Sequence, residues 1–385
     1  MDSARRIVTL THEFHPQRGG IATYVQEMAR ATHRLGVPIE VWAPRAADCD
    51  VPDTPFPFPV RGLPLRGTQN WSCRIRLARF MRAKRRDWQD AVLHLPEPGP
   101  MRAWLYLQYV AWTRTPALVL TLHGSEIELF CTLPHRRRMF RALLGRADRI
   151  GVVSRYSRDQ LLTRFPEVAH KTVVVHGALR TDLQIPTDAP GFRGAQEDLT
   201  ILTVGRIHPR KGQFAVLEAL ALLSPEIRRR ATYRLIGPVN RPRYLERVQR
   251  FASRHGIRLR YDGVLSESEI ARAYRDADIF ALTSIPSHIS VEGFGLVFLE
   301  ASAHGLPILA HRTGGVADAV SHEETGLQVD PGDRPALAAA LERLIQEPDL
   351  RRRLGTNGLQ WIRTFDWQET ARKLFQPWMP DRTVE

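Results

Sequence analysis

The sequence predicts an α/β protein built from two parallel-sheet domains. Short apolar runs alternate with amphipathic stretches along the whole chain, which is typical of parallel strands joined by crossover helices. The length of 385 residues exceeds one ordinary core and suits two domains. The polar stretch Gln184–Asp198 contains prolines and glycines and interrupts the alternation, which then restarts. We therefore expect a first domain over 1–190 and a second over 191–365.

The first domain is predicted from apolar runs of strand length separated by amphipathic stretches. Its strands are Ile7–Leu10, Ile39–Trp42, Ala91–Leu95, Leu118–Leu122, Arg149–Val153 and Thr172–Val175, and its helices include Gly20–Leu35, Arg74–Trp88 and Arg136–Ala147. The segment Val51–Pro64 is rich in proline, which suits neither a helix interior nor a central strand. We predict an extended loop there.

The second domain repeats the same alternation after the linker. Its predicted strands are Thr200–Val204, Tyr233–Ile236, Arg258–Tyr261, Ile279–Ala281, Pro307–Ala310 and Leu327–Val329, with helices between them.

Composition excludes several classes of protein. No apolar run reaches the roughly 18–20 residues that span a bilayer, and the first strand is too short for a signal-peptide core. The cysteines Cys49, Cys73 and Cys131 are odd in number and lack metal-ligand spacing, so we expect free thiols in a reducing compartment, the cytoplasm.

The net charge of +14 is unevenly distributed. Residues 1–190 hold 28 Lys and Arg against 17 Asp and Glu, so this half carries +11. Such an imbalance predicts a face that meets something anionic, such as a membrane surface, a phosphorylated acceptor or nucleic acid.

The segment Ser290–Gly315, SVEGFGLVFLEASAHGLPILAHRTGG, is the most informative part of the chain. Glu292 and Glu300 bracket a glycine turn that opens a helix. Such a turn exposes backbone N–H groups, and the helix dipole adds positive potential. The segment is suited to hold hydroxyls and phosphate together, as a nucleotide-activated sugar requires.

This segment resembles the E-x7-E signature of the retaining glycosyltransferases of family 4, also called glycosyl transferases group 1. The resemblance rests on EGFGLVFLEASAHGLP followed by TGG, and it extends along nearly the whole chain in order. It implies the GT-B fold, in which two Rossmann-like domains face each other across a cleft. It also implies that residues 366–385 form a C-terminal helix that packs back on the first domain.

The resemblance implies a hexosyltransferase (EC 2.4) that moves a sugar from a nucleotide-diphosphate-sugar, with UDP or GDP expected, to an acceptor hydroxyl with retention. The donor would bind the second domain and the acceptor the first. The expected setting is cell-envelope polysaccharide, lipopolysaccharide or glycolipid biosynthesis.

Roles for the signature residues follow from the same resemblance. Glu292 would contact a hydroxyl of the donor sugar, and Glu300 would accept hydrogen bonds from the ribose hydroxyls. Backbone groups of the turn would hold sugar hydroxyls or phosphate; these belong to Gly293, Phe294, Gly295 and Leu296.

A basic loop, Gly205-Arg206-Ile207-His208-Pro209-Arg210-Lys211-Gly212, follows a predicted strand and resembles the G-R-x4-K-G motif of the family. A nucleoside diphosphate gathers negative charge as it leaves, and fixed cations stabilise that charge. The Arg206 guanidinium can donate two hydrogen bonds to phosphate oxygens, and the Lys211 ammonium can act as a point charge.

Further candidates follow predicted strands. His123 resembles the strand-end histidine that lines the cleft near the donor sugar, and Gly19 and Gly20 resemble the glycine loop that approaches diphosphate or acceptor. Ser154 resembles a serine at the interdomain edge, and Leu265 belongs to the segment Gly263-Val264-Leu265, which by the resemblance would lie under the base.

No metal or cofactor is expected. The side-chain cations and the glycine turn leave little need for a divalent ion, and no DxD pair is placed for one; Asp276 and Asp278 are typical of a helix end before a strand.

Two basic amphipathic stretches, Arg74–Trp88 and Arg136–Arg146, can serve as domain helices or lie against an anionic membrane. Peripheral association with the inner face of the membrane would suit a lipid-linked acceptor.

Other functions stay open from the residues alone. A sugar-nucleotide epimerase or a phosphorylase could use a similar scaffold, and a silent partner subunit could bind sugar nucleotide without reaction. A nucleic-acid-binding role is not expected, because no zinc, helix-turn-helix or aromatic-stacking module is recognisable.

Overall fold

A computed structural model describes residues 5–17, 19–44, 56–65, 70–114, 117–183, 198–287 and 290–379. The predicted linker, except for Asp198, and Cys49 lie outside these residues. The chain divides into two compact units, Met1–Gly177 together with Asp366–Glu385, and Ala178–Phe365. The division at Gly177 precedes the predicted boundary at residue 190, which is itself outside the described residues.

The first unit contains parallel strands in the order β3-β2-β1-β4-β5-β6-β7 across its described residues. They are β1 (Ile7–Leu10), β2 (Ile39–Pro44), β3 (Val60–Leu63), β4 (Val92–Leu95), β5 (Ala117–Leu122), β6 (Arg149–Val152) and β7 (Thr172–Val174). Its helices are α1 (Gly20–Arg34), α2 (Trp71–Ala83), α3 (Pro98–Leu107), α4 (Ser125–Cys131), α5 (Pro134–Arg146) and α6 (Arg155–Arg164).

The second unit contains a second parallel sheet, in the order β10-β9-β8-β11-β12-β13 across its described residues. Its strands are β8 (Leu199–Val204), β9 (Ala231–Ile236), β10 (Arg258–Tyr261), β11 (Ile279–Leu282), β12 (Ile308–His311) and β13 (Gly326–Val329). Its helices are α7 (Gln213–Leu222), α8 (Pro225–Arg229), α9 (Pro242–Arg254), α10 (Glu267–Arg275), α11 (Leu296–Ala303), α12 (Val316–Ala319), α13 (Arg334–Gln346) and α14 (Pro348–Trp361).

The final helix, α15 (Trp367–Phe375), belongs to the first unit. The indole ring of Trp367 meets the Tyr24 ring of α1 at 5.2 Å between centroids. The Thr370 hydroxyl donates to the carbonyl of His176 at 2.9 Å, which ties the chain end to the segment after β7.

The strand β3 corrects the predicted loop over Val51–Pro64 at residues 60–63, while residues 51–55 of that prediction lie outside the described residues. It pairs in parallel with β2, from Val41 opposite Val60 to Pro44 opposite Leu63. The strand itself contains no proline, since Pro59 and Pro64 flank it, and it lies at the sheet edge, where one side of a strand needs no partner. Only a central strand had been excluded by the prolines, so an edge strand was missed.

The helix predicted at Arg74–Trp88 begins and ends earlier than expected. The Asn70 side chain accepts a hydrogen bond from the Cys73 N–H at 3.0 Å and caps α2. A separate 3₁₀ turn covers Arg85–Asp87, and Trp88 is buried beyond it. The predicted apolar face is nevertheless formed, because Leu77 and Met81 are buried in the core.

In each sheet the direction of strand addition reverses once, between β1 and β4 and between β8 and β11. Loops that follow the strands at such a switch point form the crevice where open α/β sheets bind ligands. The functional candidates are therefore best sought after β1 and β4 in the first unit and after β8 and β11 in the second.

Candidate active site

Two loops of the second unit lie tightly against each other at its switch point. Gly212, after β8, has a φ of +73°, and a Cβ there would overlap the carbonyl oxygen of Thr283, after β11. The Thr283 hydroxyl donates to the Gly212 carbonyl at 2.8 Å, and the Ile285 N–H donates to the Arg210 carbonyl at 2.8 Å. Only glycine fits this approach, which places Lys211 beside the end of β11.

Lys211 and Glu292 form an ion pair at the centre of this arrangement. The Lys211 Nζ lies 2.7 Å from Glu292 Oε2, and the side chains are 14% and 11% exposed. The Ser284 hydroxyl donates to the same oxygen at 2.9 Å, and an Arg210 guanidinium nitrogen lies 3.8 Å from it. Burial alone would raise the pKa of Glu292, but Lys211, Arg210 and Ser284 outweigh it and hold the pKa below its usual value.

A positive cluster surrounds this pair. Partial burial lowers the pKa of His208, and the charges of Arg241, Arg206, Arg210 and Lys211 lower it further. Arg206 is exposed, and within the described part of the chain its guanidinium has no hydrogen-bond or ion-pair partner. Four cations around one loop produce the potential that a diphosphate would need.

The glycine turn after Glu292 opens α11 as predicted. Gly295 has a φ of +89°, and its N–H and that of Leu296 have no acceptor among the described residues. The Gly315 N–H donates to the Glu292 carbonyl at 2.8 Å, so the TGG segment packs against the turn. The Phe294 ring is buried and its centroid lies 5.5 Å from that of Phe365, so the side chain is part of the packing beneath the turn.

Glu300 lies one helical turn further, half-buried on α11. The buried Tyr274 hydroxyl donates to Glu300 Oε2 at 3.0 Å, and the His304 ring stacks on Tyr274 at 5.0 Å. Burial raises the pKa of Glu300, and the positive charge of Arg180 and the Tyr274 hydrogen bond oppose that rise.

Leu265 is half-buried between Gly263 and the first turn of α10. The Gly237 N–H donates to the Gly263 carbonyl at 2.7 Å, so this loop lies beside the end of β9. Its predicted contact with the base stays a prediction.

His123 follows β5 in the first unit. Its Nε2 lies 2.9 Å from the Pro96 carbonyl, and its ring meets Tyr24 edge-on at 5.2 Å. Burial lowers the pKa of His123 to about 4, so the imidazole is neutral near pH 7. Glu126, which stands where the family motif has Asp, is fully buried and accepts the His123 N–H at 3.1 Å. Glu126 therefore anchors the histidine loop.

Gly19 and Gly20 begin α1, where Gly20 is the first helical residue. A Cβ at either position would meet no atom within 4 Å. Packing in the described residues therefore does not require glycine there, and approach of a ligand remains the predicted reason.

Ser154 does not occupy a position open to solvent. It is fully buried, and its hydroxyl accepts the Ser157 N–H at 3.2 Å and caps α6. The structure gives this residue a capping role, and no observed feature supports the predicted ligand contact.

Sequence reasoning did not assign roles to Ser284, Arg241, Tyr274 or Arg180. Ser284 is the second residue after β11, so its place at the carboxyl end of a strand was an available signal. The other three reach the site through tertiary packing, and their spacing along the chain gave no signal.

Within the described ranges, no group of three or more His, Cys, Asp or Glu is placed to hold a metal ion. The prediction that the protein needs no metal or cofactor stays a prediction.

Comparison with known proteins locates this site in a family. The model described as Glycosyltransferase Family 4 matches residues 18–183, and the model described as Glycosyl transferases group 1 matches residues 187–361. The second match contains the basic loop and the E-x7-E segment.

Curated relatives include the GDP-mannose-dependent alpha-(1-6)-phosphatidylinositol monomannoside mannosyltransferase of Mycobacterium tuberculosis. It is 27% identical, and the alignment covers 96% of this chain and 97% of the relative. The D-inositol 3-phosphate glycosyltransferase of Corynebacterium glutamicum is 30% identical, and the alignment covers 62% of this chain and 59% of the relative.

Solved structures agree on the fold. Sucrose-phosphate synthase from Thermosynechococcus elongatus superposes with a TM-score of 0.78 at 23% identity, covering 97% of this chain and 98% of that one. WaaG, a glycosyltransferase involved in lipopolysaccharide biosynthesis, superposes with a TM-score of 0.72 at 17% sequence identity. The superposition covers 98% of this chain and 100% of the WaaG chain. The two parallel-sheet units are those of the GT-B fold, which confirms the predicted fold class. With family models matched to both units, the chain belongs to the family 4 glycosyltransferases and is a hexosyltransferase-type enzyme.

Proposed function

We propose that the protein transfers mannose from GDP-mannose to an inositol-containing glycolipid, with retention at the anomeric carbon and without a metal ion. The observation that carries the proposal is the Lys211–Glu292 pair inside a cluster of cations at the start of α11. The donor is proposed because relatives that align over 96% of this chain are named as GDP-mannose-dependent. Solved GT-B neighbours at lower identity include a complex with UDP and glucose, so a UDP-sugar is the alternative donor.

The described residues suggest a division of labour. Lys211, Arg206 and Arg210 would stabilise the charge that the diphosphate gathers as the glycosidic bond breaks. Glu292 would accept a hydrogen bond from a donor sugar hydroxyl, and Glu300 would accept from the ribose. A neutral His123 would place a dipole, not a positive charge, near the anomeric carbon, where positive charge develops.

Exposed apolar side chains on the first unit, which we name the membrane-facing patch for the role proposed here, support a lipid-linked acceptor. We define it by its exposed apolar side chains, Trp71, Ile75, Tyr109, Val110 and Leu133. Within the described residues, no helix is long and apolar enough to cross a membrane. We propose that this patch lies in the interface of an anionic bilayer, on the cytoplasmic face.

Cations accompany the patch. The Arg74 guanidinium lies 4.7 Å from the Trp71 ring centroid, and Trp71 itself contacts Tyr106 of α3 at 5.1 Å. Burial and then the charge of Arg74 lower the pKa of Arg102, Glu97 opposes this, and Arg136 lowers the pKa further, so Arg102 experiences repulsion from two other arginines. Anionic head groups would relieve that repulsion.

The direct test is a transfer assay. GDP-mannose and UDP-glucose are each offered with phosphatidylinositol monomannoside or inositol 3-phosphate in the presence of EDTA, and the product is analysed by NMR. We expect mannosylation with the α configuration retained. An inverted product, or transfer that needs an added divalent ion, would contradict the proposal.

A further inference from the structure

Arg180 lies at the start of the second unit, shortly after the chain leaves β7, and is held by two carboxylates. One guanidinium nitrogen lies 2.6 Å from Glu267 Oε2, and Arg180 Nε lies 3.1 Å from Asp182 Oδ1. The arginine side chain is only 17% exposed. A guanidinium that is this enclosed and this well held has a defined position.

The helix α10 connects Arg180 to Glu300. Glu267 is its first residue, and Tyr274 follows seven positions later, two turns along the same face. Glu267 fixes Arg180 at one end, and the Tyr274 hydroxyl donates to Glu300 at the other. The Ser266 capping box stabilises the first turn of this helix, where Glu267 lies.

Groups of both charges surround Glu300 and shift its pKa in opposite directions. Burial raises its pKa, Arg180 and Tyr274 lower it, and Glu267 and Asp182 raise it again. His304 Nδ1 lies 2.8 Å from the backbone carbonyl oxygen of Glu300, so this ring contacts the main chain of Glu300 and not its carboxyl group. Arg180, held at the start of α10 by Glu267, is thus a described cation that opposes the effect of burial on the pKa of this carboxyl group, although that pKa stays above its usual value.

We propose that Arg180 is a positioning residue for donor binding, which supplies the positive charge that lets Glu300 act as a carboxylate acceptor for the two ribose hydroxyls. The inference rests on the proposed function, because it takes Glu300 as the ribose-binding group. Arg180 itself contacts protein carboxylates and need not touch the donor.

The test compares each nucleotide with an analogue that lacks the ribose hydroxyls. GDP and UDP, each with its 2′,3′-dideoxy form, are titrated calorimetrically into wild type, Arg180→Gln and Arg180→Lys. Arg343→Gln is the matched control, because Arg343 forms an ion pair with Glu323 at 2.7 Å elsewhere in the same unit.

We expect wild type and Arg343→Gln to prefer the hydroxylated nucleotide by about tenfold to a hundredfold, the range of hydrogen bonds to a charged group. In Arg180→Gln this preference should fall towards one while dideoxynucleotide binding is kept, and Arg180→Lys should restore part of it. Because the carboxylate is the binding form, the wild-type preference should fall on acidification, and in Arg180→Gln the fall should begin at higher pH.

Two results with Arg180→Gln would overturn the inference, and two results with wild type would remove its basis. An unchanged preference in Arg180→Gln would show that Arg180 does not act on the ribose contact, and an equal loss of both nucleotides would show a structural role. If wild type binds both forms equally, Glu300 does not hold the ribose and the inference fails with it. If wild type binds none of the four, the proposed donor site itself is wrong.

Discussion

At the scale of single residues, the Lys211–Glu292 pair links stability to chemistry in the second unit. Its side chains are largely enclosed, so removal of one partner leaves a charge without compensation. Lys211→Met should lower the free energy of unfolding by about 3 kcal/mol at neutral pH. Because the pKa of Glu292 is lowered in the folded protein, the pair stabilises above the usual carboxyl pKa. That stabilisation is lost as the pH falls through the folded-state pKa.

Urea unfolding at neutral and acidic pH measures this effect. The difference between Lys211→Met and wild type should shrink on acidification. Arg343→Gln removes a pair whose side chains are each 42% exposed, and such pairs contribute less than about 1 kcal/mol. A Lys211→Met effect as small as that of the control would contradict the role given to the ion pair.

Glu126 should produce the opposite pH dependence in the first unit. Burial raises its pKa from 4.5 to about 7, so between these values the folded state keeps a proton that the unfolded state releases. Folding stability from this group is therefore lost as the pH rises through that window. Glu126→Gln keeps a hydrogen-bond acceptor but cannot ionise. Relative to wild type, the variant should gain stability as the pH rises through the window.

The control for Glu126 lies on the same helix. Glu128 is half-exposed and forms an ion pair with Arg164, so Glu128→Gln should not reproduce the pH-dependent gain. A Glu126→Gln difference that does not vary with pH would show that Glu126 is ionised in the folded protein throughout this range.

At the scale of elements, the loop before α7 is constrained by Gly212. Its positive φ and its contact with the Thr283 carbonyl both exclude a Cβ. Gly212→Ala should lower the free energy of unfolding by about 2 kcal/mol or more and displace Lys211 from Glu292. Calorimetric GDP binding and urea unfolding check both effects.

Gly145 supplies the comparison for Gly212. It lies inside α5, and a Cβ there would meet nothing within 4 Å, so Gly145→Ala should be neutral or stabilising by up to about 1 kcal/mol. If both substitutions had the same effect, the steric explanation of Gly212 would be wrong.

The membrane-facing patch is also a property of elements, since its side chains come from α2, the segment after α3 and the residue before α5. A Trp71→Ser, Ile75→Ser double variant should bind vesicles of phosphatidylglycerol and phosphatidylcholine at least about tenfold more weakly, because two large apolar groups no longer enter the interface. Co-sedimentation measures this, and Leu222→Ser, exposed on the second unit, is the control. Equal vesicle binding by wild type and the double variant would show that the patch is not the membrane-binding surface.

Much of the element pattern was predictable, since buried parallel strands read as short apolar runs. The strand β3 was not, because it pairs on one side only and its sequence, Val-Arg-Gly-Leu, carries little apolar signal. The start of α2 was missed because Asn70, a capping residue, precedes an exposed tryptophan and not an apolar face. Edges and caps depend on contacts that a linear pattern does not record.

At the scale of the whole molecule, the family and the GT-B fold were predictable from the E-x7-E segment and the basic loop together, which the comparisons confirm. The same two segments also supplied Lys211 and Glu292, whose side chains the structure brings together. Arg180, Tyr274 and Arg241 were not, because they approach Glu300 or His208 only after the sheet and its helices assemble. Such partners need the tertiary structure.

The central claim is that the cations around Lys211 hold the diphosphate of a sugar nucleotide and need no metal. The most direct test is release of nucleoside diphosphate from a panel of GDP-, UDP- and ADP-sugars, with the lipid acceptor present and EDTA throughout. Wild type and Arg343→Gln should turn over one donor, GDP-mannose first, and Lys211→Ala should lose at least about a hundredfold in rate. Full activity in Lys211→Ala, or turnover only after Mg²⁺ is added, would contradict the account.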